Sequence, residues 1–182
     1  MFMPELDTLI NFASFLIGWS GSLVSTKGAR ARDLLTWMID RNQNGNSFIR
    51  PTFVSYTSVM SACVRNAKHL VTAEKVNNFS IVRQTFGDLA RSDYLEPRSI
   101  SYRIMISACR DLLPNEKEQQ QQIVAIFQHC CRVGVVDEKT FSSFCDSANE
   151  HSKAAVGLDP TATWRGLPKE WTENCKRFNN IR

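Results

Sequence analysis

The chain contains 182 residues, of which 43% are hydrophobic and 22% are charged, and it carries a formal net charge of +4 at pH 7. These values are ordinary for a folded soluble protein, and they exclude a chain too short or too polar to bury a continuous core. The length predicts a single domain.

The first apolar segment begins at Leu9 with the sequence LINFASFLIGW, which has the composition of a secretory signal core. No Lys or Arg precedes it, whereas Glu5 and Asp7 do. The sequence therefore predicts no secretory, transit or membrane-spanning segment here. Apolar residues with helical spacing follow Phe12 instead, at Phe15, Leu16 and Trp19. The chain would then start inside its first helical unit, and a fragment of a longer protein would explain such a start.

Two kinds of helical segment alternate along the chain. In both kinds, residues recur with the three- and four-residue spacing that is typical of one face of an α-helix. Segments of the first kind, helices A, begin with an aromatic residue at Phe12, Tyr56, Tyr102 and Phe141. Segments of the second kind, helices B, carry the stripes Ala31, Leu34, Leu35, Met38, then Val82, Thr85, Phe86, Leu89, then Ile123, Ile126, Phe127, Cys130. The alternation predicts an all-α chain of helical hairpins.

The two central helices A carry an internal repeat. The sequence RPTFVSYTSVMSACVR begins at Arg50 and EPRSISYRIMISACR begins at Glu96, and each has Ser-Ala-Cys after the same interval from its tyrosine. One hairpin cannot bury its apolar face alone, so we expect neighbouring hairpins to stack around a shared core. The faces predicted to be buried contain Val59, Met60 and Cys63, then Met105, Ile106 and Cys109, and in a weaker copy Phe144, Cys145 and Ala148.

The six cysteines are interpreted as core thiols. Cys63 and Cys109 occupy equivalent helix positions, and Cys130 and Cys145 lie on apolar stripes, where a free cysteine behaves as a small hydrophobic residue. The adjacent pair Cys130 and Cys131 lacks the spacing of a zinc site, and the sequence has no C-x-x-C motif. We therefore expect no metal, no disulfide framework and a reducing compartment.

No arrangement of residues in the sequence is typical of an enzyme. The three histidines, His69, His129 and His151, lie on unrelated segments, and neither a glycine-rich phosphate loop nor a His-Glu metal motif is present. The sequence therefore predicts no catalytic residues, no cofactor and no enzymatic activity.

The segment 149–182 changes in character. Gly157, Pro160, Gly166 and Pro168 are spread through a stretch that we expect to be irregular. Helical spacing returns after Pro168, at Trp171, Asn174, Cys175 and Phe178. Because the last hairpin of a repeat array exposes an apolar face, we expect this segment to form a capping helix. A separate interaction motif is the alternative.

The repeated phrase, with its proline, its Val-Ser-Tyr or Ile-Ser-Tyr and its Ser-Ala-Cys, resembles the pentatricopeptide repeat family. The resemblance covers about three and a half units, 9–52, 53–98, 99–137 and a partial 138–148, and implies a right-handed α-solenoid of stacked helical hairpins. The spacing between units is irregular, with extra sequence at 66–78 and 115–122 that we expect to lengthen helices or loops.

The resemblance implies recognition of single-stranded RNA, one base per repeat, by side chains of helices A. The implied base-facing pairs are Ala13 with Thr52, Thr57 with Arg98, and Arg103 with Asp137, while Ser142 opens the unfinished unit. The implied base-sandwiching residues are Ile10, Val54 and Ile100, and the implied phosphate contacts are Arg65 and Arg110. A solvated face, an Arg103–Asp137 ion pair or ordinary packing at the helix starts are the structural alternatives for these positions.

The segment from Lys27 to Arg98 contains eleven basic and six acidic residues, and this excess of positive charge favours a phosphate-bearing partner. By the resemblance we expect an RNA-binding adaptor in RNA processing, stability or translation, in a mitochondrion or plastid and without membrane partners. Three and a half units are expected to bind RNA only weakly. Tight binding would then need further repeats or a protein partner. The alternative is a protein-interaction scaffold that has lost base recognition. A row of arginines favours RNA, and an apolar or acidic groove favours protein.

Overall fold

The structure is a computed structural model that describes residues 26–65 and 67–175. Over this part of the chain all regular structure is helical and no β-strand is present, which confirms the all-α class. The α-helices are α1 (Thr26–Gln43), α2 (Phe53–Val64), α3 (Thr72–Ala90), α4 (Ser99–Leu112), α5 (Glu116–Val133), α6 (Glu138–Ser147), α7 (Glu150–Ala155) and α8 (Lys169–Thr172). Short 3-10 helices span Ser47–Ile49, Ala67–His69 and Trp164–Gly166. The predicted helix A that follows Phe12 lies outside the described residues.

Side chains just before the helices set where several of them begin. The Thr52 hydroxyl accepts a hydrogen bond from Ser55 N at 3.3 Å, before α2. The Asp137 carboxylate accepts from Thr140 N at 2.7 Å, before α6. Such caps satisfy amide groups that have no acceptor within the helix. Two of the helices A, α2 and α6, therefore begin directly after a capping side chain.

Most residues of the predicted apolar stripes are buried, whereas Leu34, Phe86, Ile126 and Cys145 are only partly buried. In helices A, now α2, α4 and α6, the most buried side chains include Met60, Cys63, Ile106, Cys109 and Phe144, each 0% exposed. In helices B, now α1, α3 and α5, the fully or nearly fully buried side chains are Ala31, Leu35, Met38, Val82, Thr85, Leu89, Ile123, Phe127 and Cys130. The residues that recur every three or four positions in the sequence thus lie on the inward face of each helix.

Successive helices pack on one another from α1 to α5, and α4 also packs on α2 and on α6. Aromatic rings join the layers. Phe127 on α5 stacks on Phe144 of α6 with ring centroids 3.9 Å apart, and Phe86 on α3 meets the Tyr102 ring of α4 edge-on at 5.3 Å. The helices that carry the repeated phrase are therefore direct neighbours.

The extra sequence between helices A and B lengthens helices. Residues 72–78 form the first two turns of α3, and residues 116–122 form the first two turns of α5. The Asn115 side chain caps the second of these by accepting from Glu118 N at 3.0 Å. Strong helix formers such as Glu, Lys and Gln dominate the first two turns of α5, so helix propensity explains why this segment is helical.

The C-terminal segment is more ordered at its start than the sequence indicates. The helix α7 lies where an irregular stretch was predicted, because the Asn149 side chain caps it by accepting from Ser152 N at 2.9 Å. Further on, α8 packs on α5, and the Trp171 ring meets Phe127 edge-on at 6.1 Å. Phe178, the last residue of the predicted capping helix, lies outside the described residues.

The close approach of this segment to α5 depends on Gly134. This residue has φ +75°, in the left-handed region that favours glycine. A β-carbon on Gly134 would lie 2.8 Å from the carbonyl oxygen of Glu170. Because glycine lacks that carbon, the segment approaches Gly134 closely, and Asn174 N donates to the Gly134 carbonyl at 2.9 Å.

Candidate nucleic-acid interface

Two apolar side chains are exposed at equivalent positions of the repeated phrase. Val54 is 55% exposed and Ile100 is 40% exposed, and each is the second residue of its helix. In the third copy the equivalent position is Lys139, which is also exposed. The first turns of α2, α4 and α6 therefore present a row of two apolar groups and one cation.

The residues directly after the helix A aromatics have three different environments. Thr57 is only 8% exposed, and its hydroxyl donates to the carbonyl oxygens of Phe53 at 3.0 Å and Val54 at 3.3 Å. Arg103 is partly exposed. Ser142 is exposed and donates to Asp146 at 3.4 Å. Of the three, Arg103 offers the longest side chain to a ligand.

The residues that close the predicted units lie at the starts of the next helices. Thr52 and Asp137 cap α2 and α6, while the Arg98 amide donates to Ser101 Oγ at 3.0 Å before α4. The Arg98 guanidinium lies over the Phe53 ring, with its carbon 4.7 Å from the ring centroid. The structure thus brings Arg98 to the first turn of α2, which also contains the backbone partners of Thr57.

An ion pair between Arg103 and Asp137 does not form. The Asp137 carboxylate is used to cap α6 through Thr140 N at 2.7 Å. Ion pairs among the described residues include those of Arg32 and Arg91 with Asp88, Arg110 with Asp111, and Lys153 with Glu150. The guanidinium of Arg103 is therefore not neutralised by Asp137, the aspartate with which the resemblance pairs it.

The two predicted phosphate contacts differ in availability. Arg65 is exposed and follows the last residue of α2, where its amide donates to Ser61 O. Arg110 forms a two-point ion pair with Asp111, at 2.7 and 2.9 Å, and also donates to Ser147 Oγ at 3.4 Å. The hydrogen bond to Asp111 raises the pKa of Arg110. Arg110 is thus already paired with a carboxylate, whereas Arg65 is open to a ligand.

The same helices carry little negative charge. The helix α2 contains no acidic residue, and α4 contains only Asp111 in its last turn. Small hydroxyl side chains lie partly exposed along them, at Ser58, Ser61 and Ser107. A strand of nucleic acid would therefore meet few like charges along these two helices.

One feature of this region had no signal in the repeat pattern. The Arg50 guanidinium lies over the Tyr94 ring, 3.5 Å from its centroid, and the Tyr94 hydroxyl donates to Pro51 O at 3.4 Å. This contact ties the loop before α2 to the loop before α4. The two residues are far apart in sequence, so no local pattern predicted the contact.

Ala13 and Ile10 lie outside the described residues. Within the described ranges, no helix is both long enough and apolar enough to cross a membrane, and no group of three His, Cys, Asp or Glu residues is arranged to hold a metal ion.

One histidine, His129, forms a side-chain hydrogen bond with the Tyr102 hydroxyl, which lies 2.9 Å from its Nδ1. Burial and the nearby Arg132 lower the pKa of His129.

Comparison of the chain with protein-family models, with curated proteins and with solved structures finds no match.

Proposed function

We propose that the paired helices form a right-handed solenoid of the pentatricopeptide type and that the exposed side of α2, α4 and α6 binds single-stranded RNA. The observation that carries the proposal is the repeated exposure of an apolar side chain, Val54 and Ile100, at the same place on two neighbouring helices. Single exposed apolar residues are common on protein surfaces, but an aligned pair favours a ligand with apolar faces.

Nucleobases are such ligands, since every base has a flat face that stacks on apolar or aromatic side chains. Arg103 on α4 and Arg65, which directly follows α2, supply cations that form no ion pair with a carboxylate of the described residues. Bases between the apolar side chains and phosphates near the arginines account for both features. The hydroxyl groups of α2 and α4 add hydrogen-bonding capacity along the same surface.

The affinity of this surface is expected to be low. Each stacked base contributes about 1–3 kcal/mol, and the loss of rigid-body freedom on binding offsets several kcal/mol of that total. Two or three bases therefore give a dissociation constant in the micromolar range or weaker. The protein acts on RNA as an adaptor, together with further repeats or a protein partner, and performs no catalysis of its own. By the family resemblance, its compartment is a mitochondrion or plastid.

The test is fluorescence anisotropy with pools of short single-stranded RNA and matched DNA, from low to physiological salt. We expect saturable RNA binding that weakens as salt increases, because phosphate contacts release counterions. Ile100→Ser is expected to lower the affinity about fivefold or more, as the loss of one stacking contact implies. Arg103→Ala is expected to lower the affinity and to flatten the salt dependence.

Two matched variants on α3 serve as controls. Val76→Ser removes a 51%-exposed apolar side chain from a helix B, and Arg83→Ala removes an exposed cation from the same helix. Both are expected to bind RNA as the unmodified protein does. Absence of RNA binding at low salt, or equal losses in the control and test variants, contradicts the proposal.

A protein-interaction scaffold is the second candidate, and specific contacts favour it. The Thr57 hydroxyl is occupied by backbone carbonyls and nearly buried, and Arg110 is paired with Asp111. These contacts occupy one implied base-facing group and one implied phosphate contact. A surface of apolar and serine side chains then suits a protein partner, and this candidate gains if RNA does not bind.

A further inference from the structure

A cleft of about 300 Å³ lies where α1 and α3 end and α2 begins. Its walls come from the last turns of α1, the end of α3 with the loop that follows it, and Tyr56 on α2. Ligand pockets in proteins usually measure about 300–1,000 Å³. The volume therefore suits one small molecule and is too small for a folded segment of a partner.

The lining offers hydrogen-bonding groups without partners. The side-chain amides of Asn42 and Gln43 and the hydroxyl of Tyr56 line the cleft, and none of them forms a side-chain hydrogen bond within the described part of the chain. Each amide can donate and accept at once. The Tyr56 hydroxyl is protonated at neutral pH, as tyrosine ordinarily is, and it can donate a hydrogen bond. Burial, with smaller contributions from Tyr94 and Asp88, raises its pKa further, to about 12. Such a set matches the mixed donor and acceptor edge of a nucleobase.

The cleft also has an aromatic wall in a fixed position. Tyr94 lines it, and the ring is held by the Arg50 guanidinium, 3.5 Å from its centroid, and by its hydroxyl bond to Pro51 O. An aromatic ring with restricted motion is a suitable stacking surface for a planar ligand, because little side-chain freedom is lost on binding.

The charges around the cleft leave a cation available. Asp88 is shared by Arg32 at 2.6 Å and Arg91 at 2.7 Å. The cleft itself is lined by two guanidinium groups, Arg32 and Arg91, and two carboxylates, Asp88 and Asp93. The Arg91 side chain is 75% exposed and uses one of its nitrogens for Asp88, so its other donors are open to an anion. Guanidinium groups bind phosphate with paired, charge-assisted hydrogen bonds.

We propose that this cleft binds one nucleoside 5′-monophosphate, either free or at the 5′ end of an RNA strand. The base occupies the space between the Tyr94 ring and the amides of Asn42 and Gln43, and the phosphate contacts Arg91. The cleft is separate from Val54, Ile100 and Arg103, so its occupation does not depend on binding of a strand along α2 and α4.

The test is isothermal titration of the protein with AMP, GMP, CMP and UMP, followed by the corresponding nucleosides. We expect saturable binding of at least one nucleotide, and binding of its nucleoside to be weaker by about tenfold or more, because the nucleoside lacks the charged hydrogen bonds to Arg91. Thr36→Trp places a large side chain in the cleft and is expected to abolish binding. The matched Thr72→Trp variant, at an exposed position of α3 outside the cleft, is expected to bind normally.

A second pair of variants tests the phosphate contact. Arg91→Gln is expected to weaken nucleotide binding about tenfold, and Arg83→Gln, which removes an exposed cation elsewhere on α3, is expected to leave it unchanged. A 5′-phosphorylated RNA dinucleotide that competes with the free nucleotide would identify a strand end as the source. Failure of the dinucleotide to compete would identify the free nucleotide.

Absence of saturable binding for all four nucleotides at millimolar concentration overturns the proposal, and so does binding that survives Thr36→Trp. Ile100→Ser separates the two proposals, because it is expected to weaken binding of RNA strands and to leave nucleotide binding intact. Loss of nucleotide binding in Ile100→Ser would place the ligand on α4 and overturn the assignment to the cleft.

Discussion

The guanidinium carbon of Arg98 lies 4.7 Å from the centroid of the Phe53 ring. Arg98 immediately precedes α4, and Phe53 is the first residue of α2, so this contact joins the starts of two equivalent helices. The contact between Arg50 and Tyr94 joins the preceding loops in the opposite sense. Two cation–π contacts therefore hold the repeated helices at the end that carries Val54 and Ile100.

The Arg98–Phe53 contact is expected to contribute measurably to stability. In a double-mutant cycle with Phe53→Leu and Arg98→Met, we expect a coupling free energy of about 0.5–2 kcal/mol, the range for cation–π pairs from exposed to desolvated sites. Urea denaturation of the four proteins measures it. A parallel cycle of Phe53→Leu with Arg83→Met, on α3, is expected to give no coupling. Equal coupling in both cycles would show that the effect does not come from the ring contact.

Gly28 is expected to be intolerant of a side chain, whereas Gly87 is not. A β-carbon on Gly28 would lie 2.6 Å from Cys63 Sγ, so Gly28→Ala forces α1 away from α2 and is expected to destabilise the protein by about 1–3 kcal/mol. At Gly87 the nearest atoms belong to the flexible Arg91 guanidinium at 3.5 Å, and alanine is expected to stabilise α3 by up to about 1 kcal/mol. Thermal and urea denaturation test both. Equal effects of the two substitutions would contradict the close packing at Gly28.

Gln120 is expected to hold α7 against α5. Its amide nitrogen donates to Ser147 O at 3.0 Å, and its oxygen accepts from Asn149 N at 2.9 Å and from the Ser152 hydroxyl at 2.8 Å. Gln120→Ala leaves these groups without their partner and is expected to cost about 1–3 kcal/mol.

The local measurement for Gln120→Ala is amide hydrogen exchange, which is expected to accelerate in α7. The neighbouring Gln121→Ala removes an exposed side chain that forms no hydrogen bond within the described residues, and it is expected to leave exchange there unchanged. Unchanged protection of α7 in Gln120→Ala would show that other contacts hold this helix.

The buried thiols predict a loss of stability at alkaline pH. Burial raises the pKa of Cys63 from 9.0 to about 12. The folded state therefore keeps a proton that the unfolded state releases above pH 9, so the contribution of Cys63 is complete below pH 9 and declines as pH rises toward 12. We expect the free energy of unfolding of Cys63→Ala to fall less steeply with pH than that of the unmodified protein. Urea denaturation at several pH values above 9 measures this, and identical slopes would contradict the raised pKa.

The helical phase of the described segments was predictable from the sequence. Residues such as Met60, Ile106 and Phe127 recur at intervals that place them on one side of a helix, and the structure confirms that all three are fully buried. The period of a helix is a local property of the backbone, so an apolar stripe reports the inward face without knowledge of the neighbours. The sequence also indicated that cysteines such as Cys63 and Cys109 belong to the core, where both are 0% exposed.

The state of the candidate site residues was less predictable. The family resemblance implied that Thr57 and Arg110 face a ligand, yet in the structure the Thr57 hydroxyl donates to backbone carbonyls and Arg110 pairs with Asp111. It also placed Arg103 opposite Asp137, whose carboxylate caps α6 instead. Hydroxyl, guanidinium and carboxylate groups form hydrogen bonds with partners that lie close to them in the folded chain. Which partner is used depends on the direction of the side chain rather than on spacing in the sequence.

By itself, then, the sequence determined the all-α class, most of the inward faces of α1 to α6 and the equivalence of Val54 and Ile100 in the internal repeat. The exposure of these two side chains was established only by the structure. Only the tertiary structure decided the contacts between residues distant in the chain. These include Arg98 on Phe53, Arg50 on Tyr94, and the cleft between α1 and α3. Periodicity specifies which face of a helix turns inward, but the partner across an interface is set by how the helices pack, and no local pattern encodes that choice.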